Sequence, residues 1–413
     1  MGKRIWIVNY YTGTPENVSN PRYLKLAQYF MDAGNEVITF NSNRASNIAD
    51  TEFKGNNCLL EREYGIFKFV HVRVPHYSGN GFKRMYSLWK FSSIILKNRH
   101  KFERPDVILH NIHPPFDYSI VNLAKQLKCK YITEAWDLWP EAFVYMGWMK
   151  ATNPIMRWAY SVEKKYYYAA NDLIFTFRGA FDYLRRQGWM LEQGGRIDSK
   201  HLHCISNGID LEQFDKDKIA YPRFDQDIND GSLYRIVYLG SINVSNQVKT
   251  LVDAAALLKD NPKYRFFIYG NGTYRDELIQ YSKDNHIDNV VFKEKHIPLS
   301  ECAWVVNQAR VCVMNYEKGF GSMGVSSGKM FQYLAAGKPI VCNVSIRYDD
   351  LITDNNIGIA SDMETAEDFA NAIRQLAELT DNDYDAMCKR VRNVAEQFDY
   401  KILAAKELEV INL

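Results

Sequence analysis

Residues 317–341 read EKGFGSMGVSSGKMFQYLAAGKPIV, and the order of residue types in this stretch decides the fold. Gly319, Gly321 and Gly324 crowd its first half, with Ser326, Ser327, Gly328 and Lys329 behind them. A helical spacing follows, with Met330, Phe331, Leu334 and Ala335 on one face. It stops at Ala336-Gly337-Lys338-Pro339, and Ile340-Val341-Cys342 is an apolar run suited to a buried parallel strand. The spacing predicts a Gly/Ser loop, a helix start, a short helix and a strand. The first N–H groups of a helix have no partner within it, and the helix dipole is positive there, so such a start can hold an anion. Lys329 in the first turn opposes that dipole unless an anion lies in front of it. The competing reading is an ordinary loop–helix–strand unit with a surface lysine.

The same alternation runs outward in both directions. Upstream, Arg235–Leu239, Arg265–Tyr269, 289–292 and 310–315 read as strands, with a helix from Val248 to Leu258. Downstream, 357–361 reads as the last strand, before helices at 364–379 and 383–398. Gly270 and Gly272 flank Asn271 at a strand end, where a glycine pair lets another chain segment or a nucleoside approach the backbone. The first half repeats the pattern. Strands are expected at 4–10, 36–40, 67–74, 105–109, 131–133, 172–177 and 201–205, with a helix from Arg22 to Ala33. Residues 213–232 are polar, with Asp/Lys runs, Pro222 and Gly231, and read as a linker. At 413 residues the chain is too long for one ordinary core. The expected division is 1–212, a linker 213–232, a second domain 233–398, and a segment 399–413 that crosses back to the first. The fold class is α/β, two doubly wound Rossmann-like domains facing across a cleft.

Three stretches carry a family resemblance. Gly324, Val325, Ser326, Lys329, Phe331, Tyr333, Leu334, Ala335, Ala336, Gly337, Lys338 and Pro339 match the C-terminal signature of family 4 retaining glycosyltransferases, the group 1 enzymes of GT-B fold. Glu134, Asp137, Leu138, Trp139, Pro140 and Glu141 resemble a Glu-x-x-Asp-Leu-Trp-Pro-Glu pattern of the N-acetyl-fucosaminyltransferase-like branch that builds O-antigen and capsule. Asn207-Gly208-Ile209-Asp210, with Phe214 beyond, resembles the family's exit from its first domain. The resemblance implies a nucleotide-sugar site in the second domain and an acceptor site in the first.

The resemblance also implies site residues. Gly324, Val325, Ser326, Ser327 and Lys329 would meet the donor diphosphate. The wider family carries two glutamates eight positions apart here; this chain has Gly324 and Gln332. Gln332 can still bond a ribose hydroxyl, without the stronger charge-assisted bond of a carboxylate. A basic pair that relatives place on the diphosphate is replaced, after Gly240, by Ser241 and Asn246, with Lys249 set in the next helix. Ile297, in His296-Ile297-Pro298, falls where relatives hold the base through backbone groups. Gly13 stands where relatives place a Gly-containing loop, and Arg22, opening the first helix, is a phosphate or acceptor candidate beside the plainer reading of a surface arginine. The family histidine that points toward the donor sugar is matched by Trp136 or Asp137. Asp137 is favoured for orienting the acceptor hydroxyl, with Glu134 or Glu141 in support, against helix N-capping by Asp137. His110 and His113 at a strand end are too few for a metal site, and hydrogen bonding at the Pro114-Pro115 turn is their expected role.

Composition limits the partners. A net charge of +2 gives no reason to expect nucleic acid. The seven cysteines lie far apart with no CxxC pair, which suits free thiols in a reducing cytoplasm. No stretch approaches the roughly 20 apolar residues of a spanning helix, and the N-terminus lacks a signal-peptide pattern. Residues 82–104 carry Lys83, Arg84, Lys90, Lys97, Arg99, Lys101 and Arg104 against one acid, Glu103, with Phe82, Tyr86, Trp89, Phe91 and aliphatics between them. That is the composition of an in-plane helix on the anionic inner face of the plasma membrane, or of a docked helix with a solvated basic face.

The resulting expectation is a retaining glycosyltransferase, peripheral on the cytoplasmic side. It moves a hexose or N-acetylhexosamine from a nucleoside diphosphate sugar, with UDP expected, onto a glycan or lipid-linked saccharide. No cofactor and no metal are expected, since no Asp-x-Asp motif is well placed. A GT-B UDP-sugar 2-epimerase and a non-catalytic nucleotide-sugar or glycan-binding module are the alternatives.

Overall fold

A computed structural model describes residues 2–18, 20–77, 79, 81–145, 147–318 and 323–413. Gly319, Phe320, Gly321 and Ser322, part of the stretch quoted above, lie outside the described residues. The chain forms two units, Met1–Ser206 with Tyr400–Leu413, and Asn207–Asp399. Both are Rossmann-like: mainly parallel sheets with helices between successive strands.

The first unit contributes β1 (Arg4–Val8), β2 (Glu36–Ser42), β3 (Leu59–Tyr64), β4 (Phe67–Val72), β5 (Val107–Asn111), β6 (Lys130–Ala135), β7 (Asp172–Phe175) and β8 (Leu202–Cys204). Their order is β3-β4-β2-β1-β5-β6-β7-β8. Every pair is parallel except β3–β4, a hairpin turned at Gly65 with φ 62°. Sequence reading missed β3, because LLEREY has little apolar alternation and its strand lies at the sheet edge. Ile5, Ile7, Leu109, Ile132 and Ile174 pack on one face against the helix Arg22–Asp32 and the C-terminal helix Tyr400–Asn412.

The second unit contributes β9 (Tyr234–Leu239), β10 (Tyr264–Tyr269), β11 (Val290–Phe292), β12 (Val311–Met314), β13 (Ile340–Cys342) and β14 (Gly358–Ala360), all parallel, in the order β11-β10-β9-β12-β13-β14. Alternate strand residues split into two cores, Val237, Cys312 and Ile340 on one face and Ile236, Val313 and Val341 on the other.

Residues 213–232 are not a linker. They hold the helices Leu211–Ala220 and Gln226–Asn229, and Phe214 and Ile228 are buried in the second unit's core. Arg223 pairs with Glu294 and Glu301, and Lys293 with Asp225 and Asp227. The many charges that made the segment look solvated are its attachment.

In each sheet the chain reverses its direction of winding once. β1 lies between β2 and β5, and β9 between β10 and β12. In open α/β sheets, ligands bind outside the carboxyl ends of the strands at such a reversal.

Candidate functional site

The reversal in the second unit is held open by one side chain. β9 and β12 pair only at Ile236–Val311 and Val237–Cys312. Beyond that the buried Tyr333 hydroxyl takes the Leu239 N–H (2.9 Å) and donates toward the Val313 carbonyl (3.2 Å). Tyr333 comes from the helix Gly328–Ala335, which packs Met330, Phe331, Leu334 and Ala335 into the core as their spacing predicts. The start of that helix is thereby fixed beside the carboxyl ends of β9 and β12. Ser327 precedes the helix but does not cap it, and among the described residues no side chain bonds its first N–H groups. The Ser327 hydroxyl is instead 2.6 Å from that of Tyr316, which follows β12.

Lys329 does not turn out to bulk water. Its Nζ lies 4.7 Å from the ring centre of Tyr238 and 4.8 Å from that of Tyr316, and 3.5 Å from the Tyr238 hydroxyl. Desolvation lowers its pKa to about 8, slightly opposed by Cys342. A Cβ on Gly240 would come within 3.4 Å of that amine, so glycine at the end of β9 leaves it room. An ammonium held between two aromatic faces, beside uncapped N–H groups, is positioned to meet an anion.

The rest of the expected donor set divides. The Ser241 carbonyl accepts from the Tyr238 hydroxyl (2.7 Å) and from Asn246 Nδ2 (3.1 Å). Asn246 therefore braces its own loop and does not replace a basic residue. Lys249 pairs with Asp253 at 2.8 Å and lies over Tyr281, away from this loop. Gly270 and Gly272 are explained by their neighbours: a Cβ would meet the Gly240 carbonyl oxygen at 1.9 Å and that of Ile242 at 2.1 Å. Close backbone packing, not a nucleoside, requires glycine there. Gly324 has φ 97°. Val325 and Ile297 are half-buried against the core. Ser326 receives the Asn207 N–H on its hydroxyl (2.9 Å) and Asn207 Nδ2 on its carbonyl (2.8 Å). Among the described residues, Gln332 Oε1, Asn207 Oδ1 and Asn315 Oδ1 are buried without a donor. Each can accept from a ligand hydroxyl or N–H. Tyr238 and Tyr316 were missed by sequence reading, and an aromatic at a strand's carboxyl end ahead of a glycine or loop was their only signal; Tyr333 was read as part of the signature, without a role at the site.

In the first unit the structure gives four candidates structural roles. Arg22 is fully buried: its Nε donates to Glu134 at 2.7 Å, and its Nη2 is 2.5 Å from Glu407 Oε1. Its remaining N–H groups donate to the carbonyls of Ser206 (2.5 Å) and Ile205 (3.3 Å). The other Glu134 oxygen accepts from Tyr23. Arg22 is no phosphate contact, and Glu134 reaches no substrate. Together with Glu407 they anchor the C-terminal helix. Glu141 accepts from Tyr160 and lies 4.0 Å from Arg186, so it ties helices together. Gly13 is buried in its own loop, where a Cβ would press on Asn17 and Val18 at 3.0–3.1 Å, so close packing within the loop accounts for the glycine.

Asp137 remains. The helix after it begins at Glu141, so Asp137 is not its N-cap. Among the described residues no hydrogen bond or ion pair engages it. Its carboxylate is reachable by water yet surrounded by protein, and that desolvation raises its pKa, with His113 opposing. His113 and His110 both bond Asp117 Oδ2, at 3.2 and 3.1 Å, and Tyr166 donates to Oδ1 (2.9 Å). Burial acts to raise the Asp117 carboxyl, but the two histidines outweigh it and hold it well below the usual range. Tyr11 lies edge-on to His113 at 5.2 Å and accepts from Arg84 Nε at 2.8 Å. Tyr11, Arg84, His113 and Asp137 thus gather near the carboxyl ends of β1, β5 and β6, at the first unit's reversal.

Residues 234–379 match the family model described as Glycosyl transferases group 1. The second unit therefore carries a group 1 glycosyl transferase domain. A poly(ribitol-phosphate) alpha-N-acetylglucosaminyltransferase of Staphylococcus aureus (strain COL) is 25% identical over 228 residues, 54% of this chain and 43% of that protein. The matched stretch is less than half the length of that relative. Among solved structures, sucrose-phosphate synthase from Thermosynechococcus elongatus superposes with TM-score 0.72 at 17% identity, covering 99% of this chain and 98% of that one. Anabaena HepE, solved in complex with UDP and glucose, superposes with TM-score 0.68 at 14% identity over 99% of each chain. At these identities the structural likeness establishes the fold, which is GT-B.

Proposed function

We propose that this chain is a retaining glycosyltransferase that moves a hexose or N-acetylhexosamine from a UDP-sugar to a glycan or lipid-linked saccharide. The observation that carries the proposal is the uncapped start of the helix Gly328–Ala335, with the Lys329 amine fixed beside it at the sheet reversal of a group 1 domain. As the bond between sugar and diphosphate breaks, negative charge grows on the leaving group. Fixed N–H dipoles and a cation aimed at that charge lower the barrier, and one such donor is typically worth about 2.7–4 kcal/mol. In this reading Gln332 Oε1 accepts from a ribose hydroxyl, and Asp137 orients the acceptor. The same positive charge takes the role of a divalent ion, so turnover should persist in EDTA.

Lys329→Ala is expected to lower turnover at least tenfold and leave the circular dichroism spectrum unchanged. Near-normal turnover would remove the lysine from the mechanism. Incubation with UDP-sugar alone separates the alternatives. A 2-epimerase interconverts the sugar without acceptor, and a non-catalytic module leaves it intact even with acceptor.

Membrane attachment belongs to the same reading. Along the helix Phe82–Asn98, Phe82, Tyr86 and Trp89 are 88%, 49% and 48% exposed at helical spacing, with Lys83, Lys90 and Lys97 close by and no acid in the helix. A second patch follows at Trp148, Ile155 and Trp158, 69%, 62% and 56% exposed, with Lys150 and Arg157 and no acid between 142 and 162. Exposed aromatics among cations suit the interface of an anionic bilayer such as the cytoplasmic face of the plasma membrane. Among the described residues no helix is long and apolar enough to cross a membrane. Flotation with anionic vesicles should carry the protein up and neutral vesicles should not; no flotation with either ends this part of the proposal.

A further inference from the structure

At the amino end of the second sheet, far along the strands from the carboxyl-end site, three adjacent strands each place a cation on the same rung. β12 pairs with β9 at Val311–Ile236 and with β13 at Cys312–Ile340. Carried back along the strands, that register sets Arg310 opposite Arg235 on one side and opposite Lys338 on the other. The Arg310 N–H donates to the Arg235 carbonyl at 2.8 Å, which confirms the first pairing. Residues two further on, Val237, Cys312 and Ile340, share one core face, so the three cations leave the sheet on that face too. All three are half-buried.

Like charges directly opposite one another across strands are destabilising, and sheets usually interleave an acid. Here none does. Among the described residues, none of the three forms an ion pair, and the Arg310 and Lys338 side chains make no hydrogen bond. Among the described residues, the Arg235 side chain donates to the carbonyls of Gln308 and Asp230 and to no carboxylate. Arg310 is held flat on Tyr384 at 3.6 Å, from the helix Asp381–Glu396, with Tyr234 at 6.0 Å. Its plane is fixed by that stacking, while its N–H edge lacks an acceptor.

We infer that Arg235, Arg310 and Lys338 form a second anion site, separate from the one at Lys329, that takes a diphosphate or short polyphosphate. Two strand spacings of about 4.8 Å set the row at about 10 Å, longer than one phosphate and suited to two linked ones. A stacked guanidinium and a compact ammonium are the usual partners of phosphate oxygens. Desolvation lowers the pKa of Arg235 and of Lys338; the neighbouring cations push the same way, opposed by Tyr384 and Asp230 at Arg235 and by Cys312 and Cys388 at Lys338, and a bound anion would act against the lowering. The site lies in the same domain as the proposed donor site but at the opposite end of its strands, so its occupancy can be read independently of transfer.

The test is calorimetric titration of pyrophosphate, orthophosphate and chloride, at matched ionic strength, into the full chain bearing Lys329→Ala. Saturable pyrophosphate binding, weaker for orthophosphate, is expected to survive Lys329→Ala. It should weaken at least tenfold on adding Lys338→Met or Arg310→Gln, with circular dichroism unchanged. Loss of all pyrophosphate binding in Lys329→Ala, or an unchanged Kd in both added variants, overturns the inference. UDP binding to wild-type, Lys338→Met and Lys329→Ala proteins tests the donor reading separately.

Discussion

The buried cluster of Arg22, Glu134 and Glu407 makes a sharp prediction about pH. Two carboxylates share one guanidinium, and all three side chains are 0% exposed. Among the described residues, Glu407 Oε2 is buried with no partner. Desolvation, helped by Glu134 and opposed by Arg22, raises the Glu407 pKa from 4.5 to about 8. Near neutral pH the folded protein therefore holds a proton that the unfolded chain has released. The folded state binds more protons between the two values, so stability falls as pH rises from about 4.5 to about 8. The slope reaches at most about 1.4 kcal/mol per pH unit for one proton. Glu407→Gln removes the titration and keeps an oxygen for Arg22. It leaves an amide N–H₂ where Oε2 lacked a partner, at a fixed cost of about 1–3 kcal/mol. The variant should be less stable than wild type at pH 5 and should gain on it steadily toward pH 8. Hydrogen exchange in the peptide Tyr400–Leu413, read by mass spectrometry from pH 5 to 8 after correction for intrinsic rates, reports the anchoring of this helix directly. A difference between the two proteins that does not change with pH would refute the shared-proton account.

Three further outcomes are expected. UDP affinity should fall above about pH 8 as Lys329 loses its proton in the free protein, approaching tenfold per pH unit; titration calorimetry should show this slope in wild type and not in Lys329→Ala. Gly270→Ala should destabilise the second unit by more than about 1 kcal/mol in urea unfolding, because φ is 129° and the added carbon meets the Gly240 oxygen at 1.9 Å. Tyr333→Phe should cost about 1–3 kcal/mol by leaving the Leu239 N–H without its partner, and should also weaken UDP binding as the helix start shifts; unchanged UDP affinity would separate the hydroxyl from the site.

The alternation of apolar runs with helical spacings was enough to determine two α/β units and the loop–helix–strand order around Lys329, because strand and helix periodicities are local properties of the chain. Residue type also pointed to an anion at that helix start. Where each charged side chain ends up was not legible, because burial and pairing depend on residues distant in sequence. Arg22 and Glu134 looked like site residues until Glu407, hundreds of positions away, was found to share their buried cluster. Gly270 and Gly272 looked ready for a nucleoside until the next loop was found filling the space. The polar run 213–232 was read as a linker because its charges have partners only after the second sheet has formed. The row of Arg235, Arg310 and Lys338 exists only through strand register, which no single segment of the chain contains.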